Sequence, residues 1–180
     1  MKQKAHIAIF DLDGTLVDTD AANTAAYDVA LQRFGFAGIA GMYGRVSSNI
    51  VRKAAILCDD EMDAVITVKV AEYRRQLGRT RLGLAVDALR FVLHNRNTFS
   101  KVVLLTDSAE RRAYETLRYW SLDGCFDEIV CNCGHGDKYA NYFSSFDSDP
   151  AACVVWENEN RQIYSAIAAG VRNENIRKVA

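Results

Sequence analysis

The ten residues Ala8-Ile9-Phe10-Asp11-Leu12-Asp13-Gly14-Thr15-Leu16-Val17 set two carboxylates two positions apart, where an apolar run meets a glycine. On a regular strand, side chains at i and i+2 share a face, so two ionised acids there repel each other. A divalent cation offsets that repulsion, and Gly14 permits a sharp turn that leaves both acids at the carboxyl edge of the strand. In open α/β sheets that edge is where ligands bind. A plain turn accounts for one acid and the glycine, but not for two acids after Ile7-Ala8-Ile9-Phe10.

A chain of 180 residues, 49% of them hydrophobic, buries one good core and a small appended lobe, and is too short for two full α/β domains. The formal net charge of -1 offers no broad basic field for nucleic acid. No apolar run approaches the roughly 20 residues of a membrane span, and Met1-Lys2-Gln3-Lys4 runs straight into the first strand with no secretory segment. A soluble, cytoplasmic protein is the expectation, as a monomer or homodimer. The five cysteines are odd in number and scattered among apolar neighbours, which suits reduced thiols better than a disulfide framework. Cys125, Cys131, Cys133 and His135 crowd together, but Cys-x-Cys lacks the paired spacing of a zinc ribbon.

Periodicity places a helix from Asp20 to about Phe34, stopped by Gly35, then helices over about Ser48 to Leu57 and Asp60 to Leu77. No strand signal interrupts residues 20–79, so this stretch reads as a small helical insert between the first strand and the rest. From Leu84, strands and helices alternate: strands at Lys101 to Thr106, Glu128 to Cys131, Ala152 to Trp156 and near Ile176, with helices between them. Such alternation predicts a doubly wound, Rossmann-like α/β fold, with a mostly parallel sheet and helices on both faces. Residues 1–19 and 80–180 form that core, and the insert at 20–79 leaves from the same edge as Asp13, where it can act as a cap.

Asp11-Leu12-Asp13-Gly14-Thr15-Leu16-Val17 matches without a gap the first motif of the haloacid dehalogenase superfamily, which the chain resembles. Val102 to Thr106 reads as a buried strand ending in a hydroxyl before a helix start, a place that binds oxyanions, although Thr106, Asp107 and Ser108 also serve as an ordinary helix cap. The resemblance makes Thr106 the phosphate-binding hydroxyl, and Asp107 stands where many members carry Asn. Lys138 follows Thr106 by 32 positions, the separation common in the superfamily for the lysine that holds nucleophile and phosphoryl oxygens together. The usual prolines after it are replaced by Tyr139 and Asn141. Glu157-Asn158 stands where many members have Glu-Asp or Gly-Asp, so the position that binds magnesium is a neutral amide here, with Glu157 or Glu159 compensating directly or through water.

The resemblance implies a Mg²⁺-dependent phosphoric monoester hydrolase in which Asp11 attacks phosphorus and Asp13 is acid and base. Thr106, Asp107 and Lys138 would bind the substrate phosphate, and Asp11, Asp13, Asn158 and Glu157 the metal. Asp13 argues against dehalogenation, since carbon–halogen cleavage has no alkoxide to protonate. Arg45 is a candidate substrate contact in the insert, or a solvated arginine. The expected substrate is a small phosphorylated metabolite, a sugar phosphate or mononucleotide. The alternatives are a phosphosugar mutase and a catalytically degenerate protein that binds a phosphate ligand.

Overall fold

The first apolar run forms strand β1 (His6–Phe10), which ends one residue before Asp11. The computed structural model describes residues 6–43, 46–145 and 149–179, so Arg45 lies outside the described residues. After β1 come the two-residue strand β2 (Val17–Asp18) and helices α1 (Asp20–Arg33), α2 (Ser48–Ala55) and α3 (Asp59–Arg75). The chain continues through β3 (Arg81–Leu82), α4 (Val86–His94), β4 (Phe99–Thr106), α5 (Glu110–Tyr119) and β5 (Glu128–Cys131). It closes with α6 (Lys138–Ser145), β6 (Cys153–Glu157), α7 (Asn160–Ala168) and β7 (Ile176–Lys178). The paired strands β2 and β3 have no counterpart in the sequence reading, because two residues are too few to show a period of two.

The main sheet has the order β5-β4-β1-β6-β7 with every pairing parallel. Its apolar strands are buried on both faces, and alternate residues serve different cores. Ala8, Phe10, Val102, Leu104 and Val154 face one cluster, with Leu89 and Val92 of α4 and Leu117 of α5. Ile9, Val103, Leu105 and Val155 face the other, with Tyr139 and Tyr142 of α6 and Ala166 of α7. Parallel pairing in one sense brings the ends of β1, β4 and β6 to a single edge, so Asp11, Thr106 and Glu157 emerge together.

The chain divides into two compact units, Met1–Val17 with Leu82–Ala180, and Asp18–Arg81. The second has its own core. Tyr27, Ala30 and Leu31 of α1 meet Val51 of α2 and Met62 and Val65 of α3. Glu72 on α3 accepts hydrogen bonds from Arg33 (2.9 Å) and Arg75 (2.5 Å). The N-terminus of α3 is closed by Glu61, whose carboxylate accepts from the Cys58 amide at 2.9 Å. Among the described residues no helix is long and apolar enough to cross a membrane.

Where the chain re-enters the first unit, Gly83 lies against the loop that follows Asp13. Its N–H donates to the Leu16 carbonyl at 2.7 Å, and a Cβ there would stand 2.3 Å from the Thr15 carbonyl oxygen. Backbone atoms cannot swing aside as a side-chain tip can. Gly83→Ala is therefore expected to destabilise the protein by about 1–3 kcal/mol, the usual cost of overpacking, as read from urea unfolding midpoints.

Candidate active site

At the shared edge of β1, β5 and β6 sits a buried ammonium. Lys138, the first residue of α6, is only 2% exposed, and its Nζ donates to Asp11 Oδ1 at 2.7 Å and to Glu157 Oε2 at 2.8 Å. The Asp11 backbone stays tied to the sheet, its N–H donating to the Trp156 carbonyl at 3.1 Å. Burial pushes the Asp11 carboxyl up to about 7. Lys138 opposes that rise, while the carboxylates of Glu157 and Asp13 add to it. The Lys138 ammonium is pushed up despite its burial, because both carboxylates stabilise its charge.

Glu157, expected among the metal ligands, has a different set of partners. Its Oε2 accepts from Lys138 and from the Tyr139 hydroxyl at 3.0 Å, and its Oε1 accepts from the backbone N–H groups of Asn158 (3.0 Å) and Glu159 (3.1 Å). With four donors on two oxygens and no exposed surface, this carboxylate holds Lys138 and the start of α7. Tyr139 stands where a proline was expected, and its hydroxyl is a functional contact that the sequence reading missed.

Asp11 and Asp13 are not a matched pair on one strand face. Both lie beyond β1, in a turn where the Leu12 carbonyl accepts from the N–H groups of Leu16 and Val17, each at 3.0 Å. Asp13 is engaged by α5 and the residue leading into it: Ser108 Oγ donates to its Oδ2 and Arg112 Nη2 to its Oδ1. Arg112 Nη1 also donates to Ser108 Oγ at 3.0 Å. Neither partner was expected. Both contacts are made across loops, so no local sequence signal marked them.

Thr106 is buried at the end of β4, its Oγ1 accepting from the Ser108 N–H at 3.1 Å. The Asp107 carboxylate is held by Asn132 Nδ2 at 2.8 Å and Gln162 Nε2 at 2.7 Å, which joins the segments after β4, β5 and β6. Asn158 lies over the turn. Thr15 Oγ1 donates to its Oδ1 at 3.3 Å, and a Cβ on Gly14 would meet its Nδ2 at 2.2 Å. Only glycine allows that approach, and with φ near +80° it also suits the left-handed backbone.

Asp11 and Glu157 place two carboxyl groups around the single Lys138 ammonium, while Asp13 is paired with Arg112. The residues that follow the adjacent strands β1 and β6 carry hard oxygen donors: the Asp11 carboxylate, the Asp13 main-chain carbonyl and the Asn158 amide. That chemistry fits a small divalent cation with fewer formal charges than an all-carboxylate site. Among the described residues no three His, Cys, Asp or Glu side chains form a metal-holding group. Cys125, Cys131 and Cys133 are free thiols. The helical unit has a cleft of about 520 Å³ lined in part by Asp18, Asp20, Asp28, Tyr43, Arg79 and Arg81.

The profile of the haloacid dehalogenase-like hydrolases matches residues 8–174, from β1 to the last loop before β7. The chain belongs to that family. An uncharacterized protein of Haemophilus influenzae is 22% identical over 91% of this chain and 86% of its own length. Among solved structures, a haloacid dehalogenase-like hydrolase of Streptococcus pneumoniae superposes with a TM-score of 0.73 at 16% identity, over 93% of this chain and 82% of that one. A predicted phosphoglycolate phosphatase of Haemophilus somnus gives 0.74 at 16% identity, over 95% and 84%. At such identities these structures establish the fold of this haloacid dehalogenase-like hydrolase.

The raised Asp11 carboxyl has a thermodynamic consequence. Between the unfolded value of 3.8 and about 7 the folded protein retains a proton that the unfolded chain releases, so this group's contribution to stability falls as pH rises through that window. In chelator-treated protein, Asp11→Asn is expected to gain on the wild type between pH 4.5 and 7, by on the order of 1 kcal/mol per pH unit in urea titrations. A stability difference independent of pH contradicts the assignment.

Proposed function

We propose that this haloacid dehalogenase-like hydrolase is a magnesium-dependent phosphatase that cleaves a small phosphorylated metabolite through an aspartyl-phosphate on Asp11. The observation that carries the reading is the buried Lys138 held between Asp11 and Glu157, an ammonium set directly against the acid that would be the nucleophile. Asp11 attacks phosphorus in line, the P–O bond to the leaving group breaks, and Asp13 delivers a proton to the departing oxygen. Thr106, the Asp107 N–H and Lys138 hold the remaining phosphoryl oxygens. In the second step a water attacks phosphorus, Asp13 takes its proton, and the electron pair of the broken bond returns to Asp11.

Asp11, the Asp13 main-chain carbonyl and Asn158 would hold Mg²⁺, which when bound neutralises phosphoryl charge and lowers the Asp11 carboxyl from its raised value. Glu157 serves instead to hold Lys138. The size and mixed charge of the cleft within the unit Asp18–Arg81 suit a small polar metabolite. The name given to the Haemophilus somnus structure, a phosphatase of a small organic acid ester, is in keeping with that class.

Wild-type protein is expected to hydrolyse p-nitrophenyl phosphate with Mg²⁺ and to lose activity with chelator, and Asp11→Asn is expected to lower kcat by at least about 10³-fold. Absence of turnover across a panel of phosphate esters would overturn the reading. Asn158→Asp restores a negative ligand and is expected to tighten Mg²⁺, seen as a lower half-saturating concentration for activity and a larger thermal shift. Unchanged or weaker metal dependence removes Asn158 from the ligand set.

A further inference from the structure

We propose that Arg112 is a positioning residue for the hydrolytic half of the reaction, fixing the Asp13 carboxylate so that it takes the proton of the attacking water. This rests on the phosphatase reading above. Asp13 sits in a turn beyond the end of β1, where its carboxyl group would otherwise rotate. Both of its oxygens are instead taken by one rigid source. Arg112 projects from α5 and Ser108 stands two residues before that helix, and the two are themselves joined by a 3.0 Å hydrogen bond. The Arg112 side chain is only 20% exposed and that of Asp13 only 16%, so water competes little for these contacts.

A carboxylate held in this way presents its oxygens in a fixed direction. General-base catalysis depends on that direction, because the proton must lie within hydrogen-bond reach as the water oxygen bonds to phosphorus. The step balances: the O–P bond to water forms, the P–O bond to Asp11 breaks, the bonding pair stays on Asp11, and the water proton passes to Asp13. Formation of the aspartyl-phosphate from p-nitrophenyl phosphate makes no such demand, since nitrophenolate leaves without a proton. Loss of Arg112 should therefore slow the second step and spare the first.

The test is rapid-quench and stopped-flow kinetics with p-nitrophenyl phosphate and Mg²⁺. Arg112→Gln is expected to release one nitrophenolate per active site in a burst, followed by a steady state about 10- to 100-fold slower than wild type. Arg112→Lys, which can hold one oxygen, is expected to lie between the two. Ser108→Ala is expected to change kinetics in the same direction by a smaller factor, and it carries the test if Arg112→Gln does not fold. A slower steady state without a burst, an increase in KM with kcat unchanged, or wild-type kinetics in both folded variants overturns the inference and leaves the phosphatase reading standing. Failure of the wild type to turn over the ester overturns both.

Discussion

The burial of the Lys138 ammonium between two carboxylates organises everything at the carboxyl edge of the sheet. Moving three ionisable groups out of water is costly, and breaking such a cluster by removing one member is costlier still than never having built it. Glu157 is anchored by four donors, so Lys138 has a fixed point on one side. Asp11 is then the group whose energy is adjustable. Burial raises its carboxyl towards neutrality, so a cation bound beside it would shift it back towards the ionised form.

The fold supplies this arrangement at little local cost. Three parallel strands end at one edge, and the segments after them point backbone N–H groups and short polar side chains at the same space. Thr106, Ser108, Asn132 and Gln162 are each small or neutral, and they orient the charged groups without adding charge. Two separately supported acids replace the mutually repelling pair suggested by regular strand geometry. Asp11 answers to α6 and β6, and Asp13 to α5.

The parts legible in sequence were those coded locally. The alternation of apolar strands and amphipathic helices gave the parallel sheet, and Asp-x-Asp-Gly-Thr marked the edge at which Asp11 meets Lys138. Lys138 was found through the resemblance, by the separation from Thr106 that the superfamily commonly shows. What stayed hidden were pairings made across loops. Nothing near Arg112 in sequence separates it from Arg111, which pairs with Glu115 on the same helix, because the difference is which side of α5 meets the turn after β1. Tyr139 looked like a lost proline, and its hydroxyl acquired meaning only when β6 brought Glu157 to it. Glu157 had the residue type of a ligand, and its burial and four donors came only from strands and helices distant in sequence or from its own backbone neighbours.

The central claim is that Asp11, steadied by Lys138, accepts the phosphoryl group. Acid quenching of the wild-type protein during turnover of an aryl phosphate, followed by peptide mapping by mass spectrometry under acidic conditions, tests it directly. The account predicts one phosphoryl group on the peptide containing Asp11, absent from Asp11→Asn and lost on mild base treatment. A phosphoryl group on any other residue, or turnover by Asp11→Asn at the wild-type rate, contradicts it.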